Sequence, residues 1–143
     1  MNRIEKTRDL HQNNGLNCSQ AIMTAFGDKR GIDPACARIF GRPWGGGIGH
    51  LAQTCGYLTG AVLVLAQAYD DVDEKQARQK TARAVRELFR RFEKKHGTTL
   101  CKDLLGADMT TEEGQKKIVA EKLVAKHCYS VGENVATILE DLI

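Results

Sequence analysis

No two cysteines of this chain stand as Cys-x-x-Cys, which excludes a zinc ribbon and a thioredoxin-type motif. Cys-x-x-Cys-His is missing too, so the covalent haem that this motif carries is excluded. Prolines number only two, Pro34 and Pro43, leaving long stretches free for helices. Strand signals are nearly absent, since no β-branched run alternates between turn residues. No internal repeat or low-complexity segment occurs. The longest apolar stretch, Tyr57 to Ala68, has 12 residues and is broken by Thr59, Gly60 and Gln67. That is short of the ~20 residues a membrane span needs. The first six residues carry no apolar core of a signal peptide, so a cytoplasmic location is expected. Charge of one sign is scarce as well: 21 Lys+Arg against 18 Asp+Glu leave +3. The one basic run, Arg83 to Lys95, is interleaved with Glu87 and Glu93, and reads as a solvated helix face rather than a nucleic-acid stripe.

What is present is helical patterning. The 143 residues suit one domain over 1–143, with 42% hydrophobic and 27% charged residues in ordinary globular balance. A short helix is expected over Ile4 to Gln12, ended by Asn13-Asn14-Gly15. Asn17 reads as the N-cap of a helix to Phe26, and Asp33 with Pro34 as the start of one to Phe40. Thr54 is placed to cap an apolar helix over about 54–69 that is hydrophobic nearly all round and therefore central. Asp73 caps a long helix to His96, with Gly97 as its stop. A single turn is expected around Cys101, then a helix from Thr110 or Thr111 through Lys126, then a last helix from Ser130. The fold class expected is all-α, a single-domain bundle of about six or seven helices around the central apolar one.

Four of the five cysteines fall at or beside expected helix ends: Cys18, Cys55, Cys101 and Cys128. A helix N-terminus offers unpaired N–H groups and partial positive charge, which favour the thiolate that acts as nucleophile and metal ligand. The argument applies best to Cys18 and Cys55. Taken singly, each cysteine also reads as a small buried core residue, and Cys36, in Ala35-Cys36-Ala37, keeps that reading. An odd count without an export signal argues against a disulfide framework.

Between Gly41 and Gly49 five of nine residues are glycine. No Gly-Lys-Ser/Thr follows and no strand precedes, so this is neither a P-loop nor a dinucleotide fingerprint. It serves either as a tight connection or as a cradle in which Gly45, Gly46 and Gly47, with Gly56, bring bare backbone to a sulfur site or a bound group. His50 and His127 are candidate secondary ligands. His11 and His96 read as surface residues near helix ends, and Trp44 as a core or interface anchor. Gly56 and Gly60, four apart on the central helix, allow a close helix–helix approach.

The order Asn17-Cys18-Ser19-Gln20-Ala21, Gly45-Gly46-Gly47, Thr54-Cys55-Gly56-Tyr57-Leu58-Thr59-Gly60, Cys101-Lys102-Asp103-Leu104-Leu105-Gly106 and Cys128 resembles the C_GCAxxG_C_C family of redox-active proteins. The family's four cysteines match Cys18, Cys55, Cys101 and Cys128. Cys55, Gly56 and Gly60 fit its central motif, while Tyr57 stands where alanine is expected, and Cys36 has no counterpart. The resemblance implies redox-active thiols or an iron–sulfur or other thiolate-bound metal centre.

Three functional readings follow. In the first, Cys18, Cys55, Cys101 and Cys128 are metal or cluster ligands serving electron transfer or sensing. In the second, no metal is used, Cys55 is the attacking thiolate of a thiol–disulfide oxidoreductase, and Cys18 or another of the four resolves it. In the third, the thiols are structural, and Gly56, Gly60, Trp44 and the last helix form a homodimer or partner interface. An unidentified redox partner is expected for the first two.

Overall fold

Three sequence-local devices start the chain's helices where expected. The computed structural model describes residues 1–143 and contains eight α-helices and no strand. They are α1 Arg3–Asn13, α2 Cys18–Gly27, α3 Pro34–Gly41, α4 Gly56–Ala68, α5 Glu74–His96, α6 Cys101–Leu105, α7 Glu112–Ala120 and α8 Tyr129–Leu142. Asn17 caps α2 in a reciprocal box: its side chain accepts from the Gln20 N–H at 2.9 Å, and the Gln20 side chain accepts from the Asn17 N–H at 3.0 Å. Asp33 caps α3 ahead of Pro34, and Asp73 caps α5. Gly97, at φ 74°, closes α5 with its N–H donated to the Glu93 carbonyl.

Helix α4 is the central element, packed against α2, α5 and α8. Its Tyr57, Leu58, Ala61, Val64 and Leu65 join Ile22 and Phe26 of α2, Leu88 and Phe92 of α5, and Val135 and Leu139 of α8 in one buried core. Gly56 and Gly60 bring α2 unusually close. A methyl on Gly60 would stand 2.6 Å from Ile22 and 2.9 Å from the Ser19 carbonyl. Helix α1 lies across α2 and α8.

The structure corrects the sequence expectation at three helix boundaries. Cys55, not Thr54, is the N-cap residue of α4, with no side-chain capping bond. The helix expected through Lys126 stops at Ala120, Lys122 turns left-handed at φ 51°, and Val124–Cys128 forms a π-helical turn. That turn runs straight into α8, which therefore begins at Tyr129 without a capping side chain, rather than at Ser130. The longer i→i+5 turn rotates Cys128 relative to an ordinary helix, a device that recurs at functional sites. No helix is long and apolar enough to cross a membrane.

Candidate functional site

Cys18 is the first residue of α2, Cys55 the N-cap of α4, Cys101 the first residue of α6, and Cys128 the last of the π-helical turn. Two long-range arrangements gather them. The close approach of α2 to α4 at Gly56 sets the Cys18 sulfur against the α4 N-terminus. An isolated antiparallel bridge, Thr54 to Leu100, lays the chain before α4 beside the chain before α6. The Cys55 N–H donates to the Thr99 carbonyl at 2.9 Å, and the Cys101 N–H donates to the Gln53 carbonyl. Cys128 then arrives from α6's other neighbour, the π-helical turn.

All four cysteines line one cavity of about 200 Å³. Its wall carries no Asp, Glu, Lys or Arg. The donors it offers are the four thiols, the imidazoles of His11 and His50, the Met109 thioether, the Tyr57 hydroxyl and the Asn17 amide, set among Leu104, Leu105, Val124 and Val131. All the cysteines are free thiols. No three His, Cys, Asp or Glu side chains are placed to hold one metal ion.

Burial decides the protonation of these thiols. The Cys18 thiol is pushed up by burial, although backbone N–H groups of Gly46, Ser19, Cys18 itself and Gly56 hold it back in part. Cys55, 7% exposed, is pushed well above the usual thiol range by burial and by the neighbouring Cys18 charge. Cys101 is pushed up to about 11 and Cys128 to about 12, again by burial first and neighbouring thiolates second. The expectation that helix ends make Cys18 and Cys55 thiolates is thus corrected for the metal-free protein. The N–H groups are present, but desolvation outweighs them.

The glycine loop does enclose the site. Gly46 through His50 all have left-handed φ, at 64°, 73°, 66°, 56° and 61°. The tight turn is closed by donation from His50 N–H to Gly45 carbonyl at 3.1 Å and from Gln53 N–H to Gly47 carbonyl at 3.0 Å. Glycine adopts this backbone freely, whereas Ile48 and His50 bear about 1–2 kcal/mol each. Of the four glycines expected at the site, Gly46 and Gly56 line the cavity. Gly45 packs on the Asn17 side chain, and Gly47 lies behind Cys101, whose Cβ would stand 2.7 Å from an added methyl.

His50 is exposed at the cavity mouth, while His127 does not reach the wall. The reading of His11 as a surface residue is overturned. It lines the cavity, its Nδ1 is hydrogen-bonded to the Tyr57 hydroxyl, and burial lowers it to about 4. Its ring meets the edges of Tyr57 and Tyr129, with centroids 5.5 and 5.1 Å away. Tyr57 is pushed above the usual phenol range by burial, then by the Cys18 and Cys128 charges. His96 is only half-buried, its ring lying against Phe92. Cys36 lies elsewhere, its thiol donating to Asp33 at 3.3 Å, beside a separate groove that Trp44 also lines.

His11, Met109 and the packing of Tyr57 escaped sequence reasoning. The only available signals were the proximity of His11 to Cys18 across an Asn-Asn-Gly turn and the tyrosine standing in place of alanine. The model of one family matches residues 16–142 and is described as "Putative redox-active protein (C_GCAxxG_C_C)". No curated protein and no solved structure matches the chain significantly.

Proposed function

Because the chain belongs to the C_GCAxxG_C_C family, a redox-active protein family, we propose that Cys18, Cys55, Cys101 and Cys128 hold an iron–sulfur cluster used for electron transfer or sensing. One observation carries this reading. Four free thiols line one cavity, and no carboxylate stands among them. A cluster binds its four cysteines at its corners, through different irons, and needs a space between the sulfurs.

The donor set suits such a group. Thiolates are soft ligands, and no carboxylate competes for the site. When bound, the group would supply one-electron redox chemistry. The protein's own residues do the rest. Backbone N–H groups of Gly46 and Gly56 stand ready to hydrogen-bond the Cys18 sulfur once its proton is lost. Leu104, Leu105, Val124 and Val131 exclude water from the sulfurs. His50 marks the exposed side, where a redox partner would approach.

Metal-free dithiol exchange with Cys55 as the attacking thiolate is less well supported. Exchange needs an accessible thiol of low pKa, and Cys55 is buried and pushed up.

The test is iron and acid-labile sulfide analysis, with a visible spectrum, on protein purified without oxygen. Iron and sulfide in equal amounts, lost in each of Cys18→Ser, Cys55→Ser, Cys101→Ser and Cys128→Ser but kept in Cys36→Ser, is the expected result. A colourless protein that takes up neither on anaerobic reconstitution would overturn the proposal.

A further inference from the structure

Helix α1 lies wholly outside residues 16–142, the part of the chain that the family model matches, yet it delivers His11 to the cysteine cavity. The residue that receives His11 is Tyr57. Tyr57 lies in the first turn of α4, two residues beyond Cys55, with its ring in the space left by the missing side chain of Gly132.

The hydrogen bond between them has a direction. Tyr57 is buried and its hydroxyl has no partner other than His11. A buried hydroxyl proton left undonated is costly, so Tyr57 donates and His11 Nδ1 accepts. A neutral imidazole that accepts at Nδ1 carries its proton on Nε2. That Nε2 makes no hydrogen bond within the protein, and the ring is held at its edges by Tyr57 and Tyr129. The cavity that the His11 ring lines contains four sulfurs and no carboxylate.

We infer that Tyr57 positions His11 so that its Nε2–H donates to sulfur in the loaded site, setting the reduction potential from helix α1, which carries none of the four cysteines. The inference rests on the cluster reading above. The physical reason is charge. The reduced site carries one more negative charge than the oxidised one, so a hydrogen bond to its sulfur stabilises the reduced form more and raises the potential.

The experiment uses the full chain, reconstituted without oxygen with iron and sulfide. Wild type, His11→Phe, His11→Gln and Tyr57→Phe are each titrated with dithionite through mediator dyes, while iron content and thermal unfolding are recorded alongside. His11→Phe is expected to load fully and to show a more negative midpoint potential. His11→Gln, whose amide still donates, should recover part of the shift. Tyr57→Phe, which frees the imidazole, should move in the same direction as His11→Phe. Fully loaded His11→Phe with the wild-type potential overturns the inference and leaves the cluster reading standing. If wild type loads and neither His11 variant does, His11 builds the site instead of tuning it, and the inference is again overturned. If wild type itself takes up no iron or sulfide, both the cluster reading and the inference fall.

Discussion

The Cys18 sulfur rests against the backbone of Gly56, in the space that a methyl group on that glycine would occupy. A methyl there would also crowd the Trp44 carbonyl, at 2.9 Å. Gly56→Ala is therefore expected to push α2 away from the start of α4. Overpacking of this kind costs about 1–3 kcal/mol. Iron and sulfide uptake should fall sharply while the circular dichroism spectrum stays helical. Full uptake by Gly56→Ala would show that this contact does not shape the site.

His11 makes stability depend on acid. Its imidazole lies near 4 in the folded protein against 6.5 when free of the fold. Between those values the unfolded chain binds more protons, so stability rises with pH across the window. The contribution is fully present above 6.5 and is lost as pH falls through 4. The shift sets a ceiling of about 3 kcal/mol, reduced by the partial exposure of the ring. Urea unfolding of the metal-free protein at several pH values should show this slope, and His11→Gln should flatten it. The weaker slope that remains comes from His96, which burial lowers in the same sense, and at the acid end of the window from Glu87, which Arg90 and Arg91 hold well below the usual carboxylate range.

Alkylation of the metal-free protein tests the state of the thiols. With Cys101 pushed up to about 11, roughly one part in a thousand is thiolate at pH 8. Iodoacetamide labelling of Cys101 should thus climb about tenfold per pH unit from 7 to 10. Cys128, at about 12, should lag behind it. Rapid labelling of Cys55 at pH 7, followed by mass spectrometry, would instead favour dithiol exchange.

Lys122 is exposed and left-handed, at φ 51°, just past the end of α7. Glycine adopts that backbone without the cost a side chain brings. Lys122→Gly is expected to raise unfolding stability by about 1 kcal/mol in urea titrations, with cluster loading unchanged. A loss of stability would mean that the lysine side chain contributes more than its backbone costs.

Much of the fold was legible because its signals are local. The Asn17, Asp33 and Asp73 caps, the Gly97 stop and the apolar character of α4 each depend on a few neighbouring residues. The boundaries that went astray have a different cause. The amphipathic pattern runs on past Ala120, but the chain breaks at a lysine, a residue type that gives no sign of a left-handed turn. The π-helical turn likewise leaves no mark in composition. His11 looked like a surface residue because its burial is made by Tyr57 and Tyr129, which are 46 and 118 positions away.

The amino-acid sequence alone determined that this is an all-helical chain with four cysteines at helix ends, since periodicity and capping act within a turn or two of backbone. Only the tertiary structure decided that those cysteines surround one cavity. Their meeting depends on α2 pressing onto α4 at Gly56 and Gly60, and on the Thr54–Leu100 bridge between segments 46 residues apart. It also decided their protonation. Helix ends favour thiolates, but how much water is removed from the sulfurs is set by packing from the whole chain, and here desolvation is the larger effect.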